Sequence, residues 1–261
     1  MTGKVSYTLL NPTGNMTLLA ETPVPEAEQP AVAAELTALE PETEQVGFVR
    51  FEPDGVCLRM AGGEFCGNAA MSAAALQLVH TGQREGKVRV QVSGTKEPVT
   101  VTMTACPGGW RGSVTMPFPQ SVGREEFAEL GLLPVVRFPG ITHLILEDGL
   151  GGNRTPEKAE ELAPRLCSLL NADALGLMFL NREKSSLKPL VYVPDAGTLC
   201  WESSCASGTT AVGAFLSWET GKEIRMKLSQ PAGELEISVQ PGKAPVLTGS
   251  VSIVRRGSFT A

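Results

Sequence analysis

Metal-ligating residues are scarce in this sequence. It has two histidines, His80 and His143, and no Cys-x-x-Cys pair. A zinc site would have to gather Cys57, Cys66, Cys200 and Cys205 at spacings unlike those of structural sites, so no metal is expected. Basic clusters are missing too: no Lys/Arg group exceeds a pair, and the net charge is −6. That balance disfavours nucleic-acid partners. No apolar run approaches the ~18 residues of a membrane span, so no membrane partner is expected. The opening MTGKVSYTLL has no basic region followed by an apolar stretch, so no signal peptide is expected.

Six cysteines are spread over the 261 residues. Without an export signal they read as free thiols in a reducing, cytoplasmic compartment. The composition, 42% hydrophobic and 19% charged, is that of a folded globular chain. The length allows one large domain or two of about 130 residues, each sufficient for a core.

The most informative feature is an internal repeat. Cys66-Gly67-Asn68 and Cys205-Ala206-Ser207 each open a run of small residues, at an offset of 139. Thr81-Gly82 and Thr220-Gly221 close those runs at the same offset. β-like stretches follow at 88–93 and 224–229, with their serines 136 apart. Residues 112–116 then match 249–253 at 137, and earlier in the chain 14–19 faces 140–145 at 126. These anchors keep one order with slowly drifting offsets, which argues for a duplicated unit. The period is far too long for a solenoid, so two related lobes are expected. Pro117-Phe118-Pro119 reads as their boundary, and residues 250–255 are expected to return to the first lobe as a strand. The predicted units are therefore 1–118 with 250–261, and 119–249. Alternation in VRVQVSG, VTVTM and GELEISV predicts half-buried strands. Peripheral helices are predicted at 30–40 and 156–171, the second with Thr155 as N-cap and Pro156 at its first position.

The two cysteine-led runs read CGNAAMSAAA (66–75) and CASGTTAVGA (205–214). Neither carries a charge or the polar stripe of a surface helix. Small side chains all round suit a helix enclosed by closely packed strands. The cysteine at each start calls for more than packing. A first helical turn exposes unpaired N–H groups and a positive partial charge. That setting lowers a thiol's pKa and binds anions such as a carboxylate. Two lobes related by a pseudo-two-fold would aim two such termini into one cleft. Thiols on opposite sides of one carbon describe a two-base racemase. One thiolate removes the Cα proton and the other thiol protonates the opposite face. Helix-terminal donors around the substrate carboxylate would stabilise the carbanion, at ~3–4 kcal/mol per well-placed donor. No pyridoxal phosphate or other cofactor is then required. Cys57, Cys106, Cys167 and Cys200 lack such a setting and read as buried small hydrophobes.

These motifs resemble the diaminopimelate epimerase superfamily of pyridoxal-phosphate-independent racemases and epimerases. The family pairs a CGN-type motif with a CGTG- or CGSG-type motif. Here they stand as Glu64-Phe65-Cys66-Gly67-Asn68 and Glu202-Ser203-Ser204-Cys205-Ala206-Ser207-Gly208-Thr209. Gly14-Asn15 and the mid-chain Gly140-Ile141-Thr142-His143 complete the pattern, which covers nearly the whole chain. The resemblance implies an α+β fold of two pseudo-symmetric lobes, each a curved mixed sheet or barrel around a central helix. There are departures from diaminopimelate epimerase itself. Ile141 and Ala174 stand where those enzymes usually carry Asn. Ala61-Gly62-Gly63-Glu64 lies directly before Phe65-Cys66, two residues shorter than their Asp-Gly-Ser-Glu spacing. Their Glu-Arg pair is missing around Asp195-Ala196-Gly197. A site without those polar partners should reject diaminopimelate. The shortened pattern is closer to the histidine racemase branch, which makes D-histidine for opine-type metallophores.

Cys66 and Cys205 are expected to be the acid/base pair. The main-chain N–H groups of Gly67, Asn68, Ala206 and Ser207 would hold the substrate carboxylate. Asn15 matches a substrate-contacting position of the family, or is a turn residue after Gly14. Glu202 and Glu44 are candidates to pair with the α-ammonium, or are solvated carboxylates. His143 contacts substrate, orients a thiol, or is structural. Thr209 adds a hydroxyl to the site or caps its helix. Residues 148–153 resemble a phosphate loop only loosely and, with no Lys-Ser/Thr following, read as a surface turn. The expected partner is a small amino acid, with the chain a monomer or a homodimer. Other readings stay open. One is diaminopimelate epimerase. A second is a phenazine-type isomerase using a carboxylate, against which both retained cysteines argue. A third is a ligand-binding or redox-sensing relative whose thiols oxidise to a disulfide.

Overall fold

The computed structural model describes residues 3–128, 130–147, 155–195 and 197–260. The turn read at 148–153 lies outside them. The chain is α+β and divides into two compact units. The first runs to Thr115 and takes the chain back from Thr248, and the second is Met116–Leu247.

The first unit contains β1 (Lys4–Pro12), β2 (Thr17–Ala20), α1 (Gln29–Leu39), β3 (Gln45–Glu52), β4 (Gly55–Met60), α2 (Gly67–His80), β5 (Gly86–Val92), β6 (Val99–Cys106) and β7 (Gly109–Thr115). The second contains β8 (Ser121–Phe127), β9 (Gly131–Phe138), β10 (Ile141–Glu147), α3 (Pro156–Leu169), β11 (Leu175–Asn181), β12 (Ser186–Val193), β13 (Thr198–Trp201), α4 (Ala206–Thr220), β14 (Ile224–Gln230) and β15 (Gly233–Val239). The last strand is β16 (Val246–Thr260).

In the first unit the strands follow the order β1 to β7, then β16, and β16 pairs back onto β1, from Lys4↔Thr260 to Pro12↔Val251. That pairing closes an eight-stranded mixed barrel. The parallel pairs, β2–β3 and β4–β5, are those bridged by α1 and α2, as a parallel crossover requires. Alternation sets which face of each strand turns inward. Val99, Val101 and Met103 of β6 are buried while Thr100, Thr102 and Thr104 face water. Helix α2 packs against all of β1 to β7 and is buried from Gly67 to Leu78. Alanines on every side let the strands come close around it. It stops at Thr81-Gly82, where Gly82 takes φ +71. Helix α1 lies on the outer surface, with Val32, Ala33 and Leu36 against Val5, Leu9, Val46 and Phe48.

In the second unit the order is β15-β14-β12-β11-β10-β9-β8, with β13 on β12. The parallel pairs are β10–β11 and β12–β14. Strand β10 separates two cores. Leu144 and Leu146 face Ala159, Ala163 and Leu166 of α3. Ile145 joins Val136, Met178, Val212 and Phe215 around α4. Helix α3 begins at Pro156, but Thr155 does not cap it with its side chain. That hydroxyl bonds Glu157 instead and holds the carboxyl below its usual range.

One ion pair locks the first barrel where it closes. Glu40, at the end of α1, accepts from Arg255 Nε at 3.1 and 2.9 Å and from Tyr7 Oη at 2.7 Å. The Arg255 hydrogen bonds hold the Glu40 carboxyl below its ordinary 4.5, against the opposing effect of burial. A depressed carboxylate stabilises the fold above pH 4.5 and loses that contribution as pH falls. Glu40→Gln should therefore destabilise the protein at pH 7 by about 1–3 kcal/mol. In urea titrations the gap to the unmutated protein should narrow on acidification below pH 4.5. A gap independent of pH would contradict this role.

Candidate active site

Cys66 and Cys205 cap α2 and α4 in the same manner. Each has extended backbone, φ −131 and ψ 115 at Cys66, φ −124 and ψ 111 at Cys205. Each sulfur accepts an N–H from the third helical residue: Ala69 at 3.4 Å and Gly208 at 3.3 Å. Sulfur takes the place of the oxygen that Ser, Thr, Asp or Asn supplies at most helix starts. The first two amides of each helix, Gly67 and Asn68 in one, Ala206 and Ser207 in the other, have no intrahelical acceptor. The four residues predicted to hold a carboxylate thus flank the two sulfurs in identical positions.

The surroundings differ. Cys66 is half-buried, whereas Cys205 is 4% exposed. The low thiol pKa expected at a helix start is not met at Cys205. Burial, followed by the charge and hydrogen bond of Glu202, pushes that thiol well above its usual range. The Ser207 hydroxyl, 3.5 Å from the sulfur, and the Gly208 N–H pull the other way and are outweighed. The physical reason is dehydration: a partial positive charge at a helix end is worth less than the lost hydration of a full thiolate charge. Glu202, a candidate partner for the α-ammonium, stands against Cys205.

In the first unit the structure joins two of the predicted residues directly. Asn15 is buried and its Nδ2 donates to Glu44 Oε2 at 2.7 Å. Its Oδ1 accepts from Gln45 Nε2, which also donates to Thr17 Oγ1 at 2.8 Å. Asn15 closes a turn, its N–H on the Pro12 carbonyl at 3.2 Å, and its side chain also joins a polar cluster, completed by Gln45, that the sequence reading missed.

His143 lies on the inner face of β10 and is fully buried. It is paired in register with Gly176, where a Cβ would come within 2.2 Å of its Nδ1 and 2.8 Å of Met178 Cε. Met178 in turn packs on Gly208, where a Cβ would stand 2.1 Å from its Sδ and 3.2 Å from Cys205 Sγ. His143 thus shares the interior around Cys205. Among the described residues neither ring nitrogen has a hydrogen-bond partner, so it orients no thiol here. Burial pulls its pKa from 6.5 down to about 3.

Thr209 neither caps α4 nor offers its hydroxyl to the first turn. It donates to the Cys205 carbonyl at 2.7 Å and accepts from Gln230 at 2.8 Å. Gln230 also accepts from the Cys205 N–H at 2.8 Å. Gln230 was missed as well, although a signal existed. It falls on the inward parity of β14 after Leu228, where an apolar residue is the rule. Among the remaining cysteines, Cys167 is buried as expected, but Cys106 and Cys200 are exposed. No three His, Cys, Asp or Glu side chains among the described residues are grouped to hold a metal. No helix among them is long and apolar enough to cross a membrane.

The His143 environment predicts a pH dependence. The unfolded chain takes up a proton near pH 6.5 and the folded one near 3, so stability rises with pH across that window. Between pH 7 and pH 5 His143 should cost the fold about 2 kcal/mol. Urea titrations at the two values should show this loss in the unmutated protein and a flatter profile in His143→Leu. Equal slopes would contradict a neutral, dehydrated imidazole.

Comparison with known proteins extends over the same span. Residues 4–259 match the family model of the histidine racemase CntK N-terminal domain. A histidine racemase of Fusobacterium nucleatum subsp. nucleatum is 31% identical over 271 aligned positions, covering 98% of each chain. One from Staphylococcus aureus is 26% identical, over 97% of this chain and 96% of its own. Among solved structures, a protein of Pseudomonas aeruginosa described as a predicted epimerase has a TM-score of 0.75 at 16% identity, covering 98% of this chain and 99% of its own. A hydroxyproline epimerase of Agrobacterium vitis reaches 0.69 at 12% identity, covering 100% and 94%. The solved structures establish a shared fold. The sequence matches go further: the chain belongs to the histidine racemase family.

Proposed function

We propose that this protein interconverts L- and D-histidine, with Cys66 and Cys205 as its two proton-transfer groups. Family membership supports the substrate. The observation that carries the chemistry is the matched pair of caps, a sulfur at each helix start beside two first-turn amides. The Cα–H of an amino acid is very weakly acidic, so its removal needs a base and a stabilised carbanion. One thiolate takes the proton, and the C–H electron pair stays on carbon and spreads into the carboxylate. The other thiol gives its proton to the opposite face. Thiolate and thiol have then exchanged places, and the next turnover runs from the other enantiomer or after proton exchange with water. The amides of Gly67, Asn68, Ala206 and Ser207 are the donors for the carboxylate, each worth ~3–4 kcal/mol if well placed. Cys205, dehydrated and facing Glu202, rests as the thiol and acts first as the acid. Glu202 and the Asn15-anchored Glu44 suit cationic or N–H donor groups of the substrate. No cofactor takes part in this scheme.

We also read the two units as lobes of one duplication. In the first, β2–α1–β3 and β4–α2–β5 are parallel crossovers. In the second, β10–α3–β11 and the path from β12 through α4 to β14 repeat that order. The cysteine-capped helix is the second crossover in each. Six free thiols suit the reducing cytoplasm.

Proton NMR in D2O under reducing conditions tests the proposal. Among a panel of L-amino acids that includes diaminopimelate, histidine is expected to lose its Cα–H signal. Cys66→Ser and Cys205→Ser should each slow that loss at least ~10²-fold. Exchange at the unmutated rate in either variant, or none with histidine in the reduced protein, would overturn the proposal.

A further inference from the structure

The bonds made by Thr209 and Gln230 form a closed ring on Cys205. The Cys205 N–H donates to Gln230 Oε1, Gln230 Nε2 donates to Thr209 Oγ1, and Thr209 Oγ1 donates to the Cys205 carbonyl. All three bonds are buried, between 2.7 and 2.8 Å. The direction of each is forced. A hydroxyl has one hydrogen, and the carbonyl of Cys205 can only accept it. Thr209 must then accept from Gln230, which fixes the amide with its oxygen on the Cys205 N–H. The turn after Gln230 is fastened nearby, with the Ala232 N–H on the Ser203 carbonyl at 3.1 Å.

The first unit has no such side chains at the matching positions. By the offsets of 139 and 136 in the sequence repeat, Thr209 and Gln230 correspond to Ala70 and Gly94. Ala70 carries no hydroxyl, and its N–H makes the ordinary helical bond to the Cys66 carbonyl at 2.9 Å. Gly94 has φ +77, and a Cβ there would stand 2.3 Å from the Phe65 backbone nitrogen. Backbone fills the place that the Gln230 side chain takes in the second unit. Support comes instead from Ser93, which accepts from the Met60 N–H at 2.9 Å and donates to the Glu64 carbonyl at 2.8 Å. Those bonds brace the approach to Cys66 rather than the cysteine itself.

We propose that Gln230 is a positioning residue for Cys205 alone, so that the proton transfer at Cys205 depends on it and the transfer at Cys66 does not. This rests on the two-thiol reading. Proton transfer is steep in geometry: a misplacement of about 1 Å costs ~10²-fold. The ring fixes both backbone groups of Cys205, and hence its Cα–Cβ direction.

Two variants test it. Gln230→Met keeps the length and loses both hydrogen bonds; Gln230→Glu keeps an acceptor for the Cys205 N–H. Enantiomers are equal in energy, so kcat/KM must fall equally from L- and D-histidine. The fall should be ~10- to 100-fold for Gln230→Met and smaller for Gln230→Glu. The directions separate in the isotope effect of Cα-deuterated histidine. With the enantiomer that gives its proton to Cys205 the effect should rise. With the other, where Cys205 returns the proton, it should fall. Isotope effects that stay put, or move together, would mean a merely structural role and overturn the proposal.

A second measurement is independent of turnover. The rates at which iodoacetamide alkylates the two thiols, read by peptide mass spectrometry, should change several-fold for Cys205 relative to Cys66 in Gln230→Met. An unchanged ratio would also overturn the proposal. Absence of histidine racemisation in the unmutated protein would instead sink the functional reading, and the alkylation ratio would still decide the part played by Gln230.

Discussion

A helix surrounded by strands on every side must still satisfy the N–H groups of its first turn, because no water reaches most of its length. That constraint shapes both α2 and α4. Close wrapping by strands favours small side chains along the first turns, CGNAAMSAAA in one and CASGTTAVGA in the other, and longer apolar ones follow mostly further along. The first turn must then be satisfied at its open end. In both helices the cysteine sulfur takes the amide of the third helical residue, and the two amides before it have no acceptor within the helix. The proposed carboxylate site beside each thiol rests on those two amides.

Competition between two electrostatic effects sets the state of the second thiol. The helix start and the Gly208 N–H favour a thiolate at Cys205, while dehydration and the neighbouring Glu202 favour the thiol and prevail. In the proposed reaction this outcome has a chemical use. A raised thiol pKa makes the thiolate scarce at rest but a stronger base once formed, and the Cα–H is a very weak acid. The same dry interior strengthens each hydrogen bond made within it. It also keeps His143 neutral, its ring nitrogens without a hydrogen-bond partner among the described residues.

Much of this architecture is legible in the sequence because it rests on local rules. The strands of VTVTM and GELEISV show in their alternation, and the core helices in their lack of charge. The cysteine caps show in their repeated position before runs of small residues. Other features depend on which side chains meet across the fold, and no local pattern records that. Asn15 follows a glycine and reads either as a turn residue or as a substrate contact; the register of β2 with β3 brings its side chain to Glu44 and Gln45. The ring on Cys205 joins residues 25 apart in sequence, and only the inward parity of Gln230 hints at it. The direction of the Cys205 shift was misjudged because a helix start is visible in sequence and burial at one atom is not.

The most direct test of the central claim, two thiols acting on opposite faces of one carbon, is the early fate of solvent deuterium. L-histidine would be incubated with the protein in D2O, and both enantiomers analysed at low conversion. Deuterium should appear at Cα of the D-histidine formed, while the remaining L-histidine keeps its protium. Deuterium at equal levels in both enantiomers, or D-histidine that retains the original proton, would indicate a single base and contradict the account.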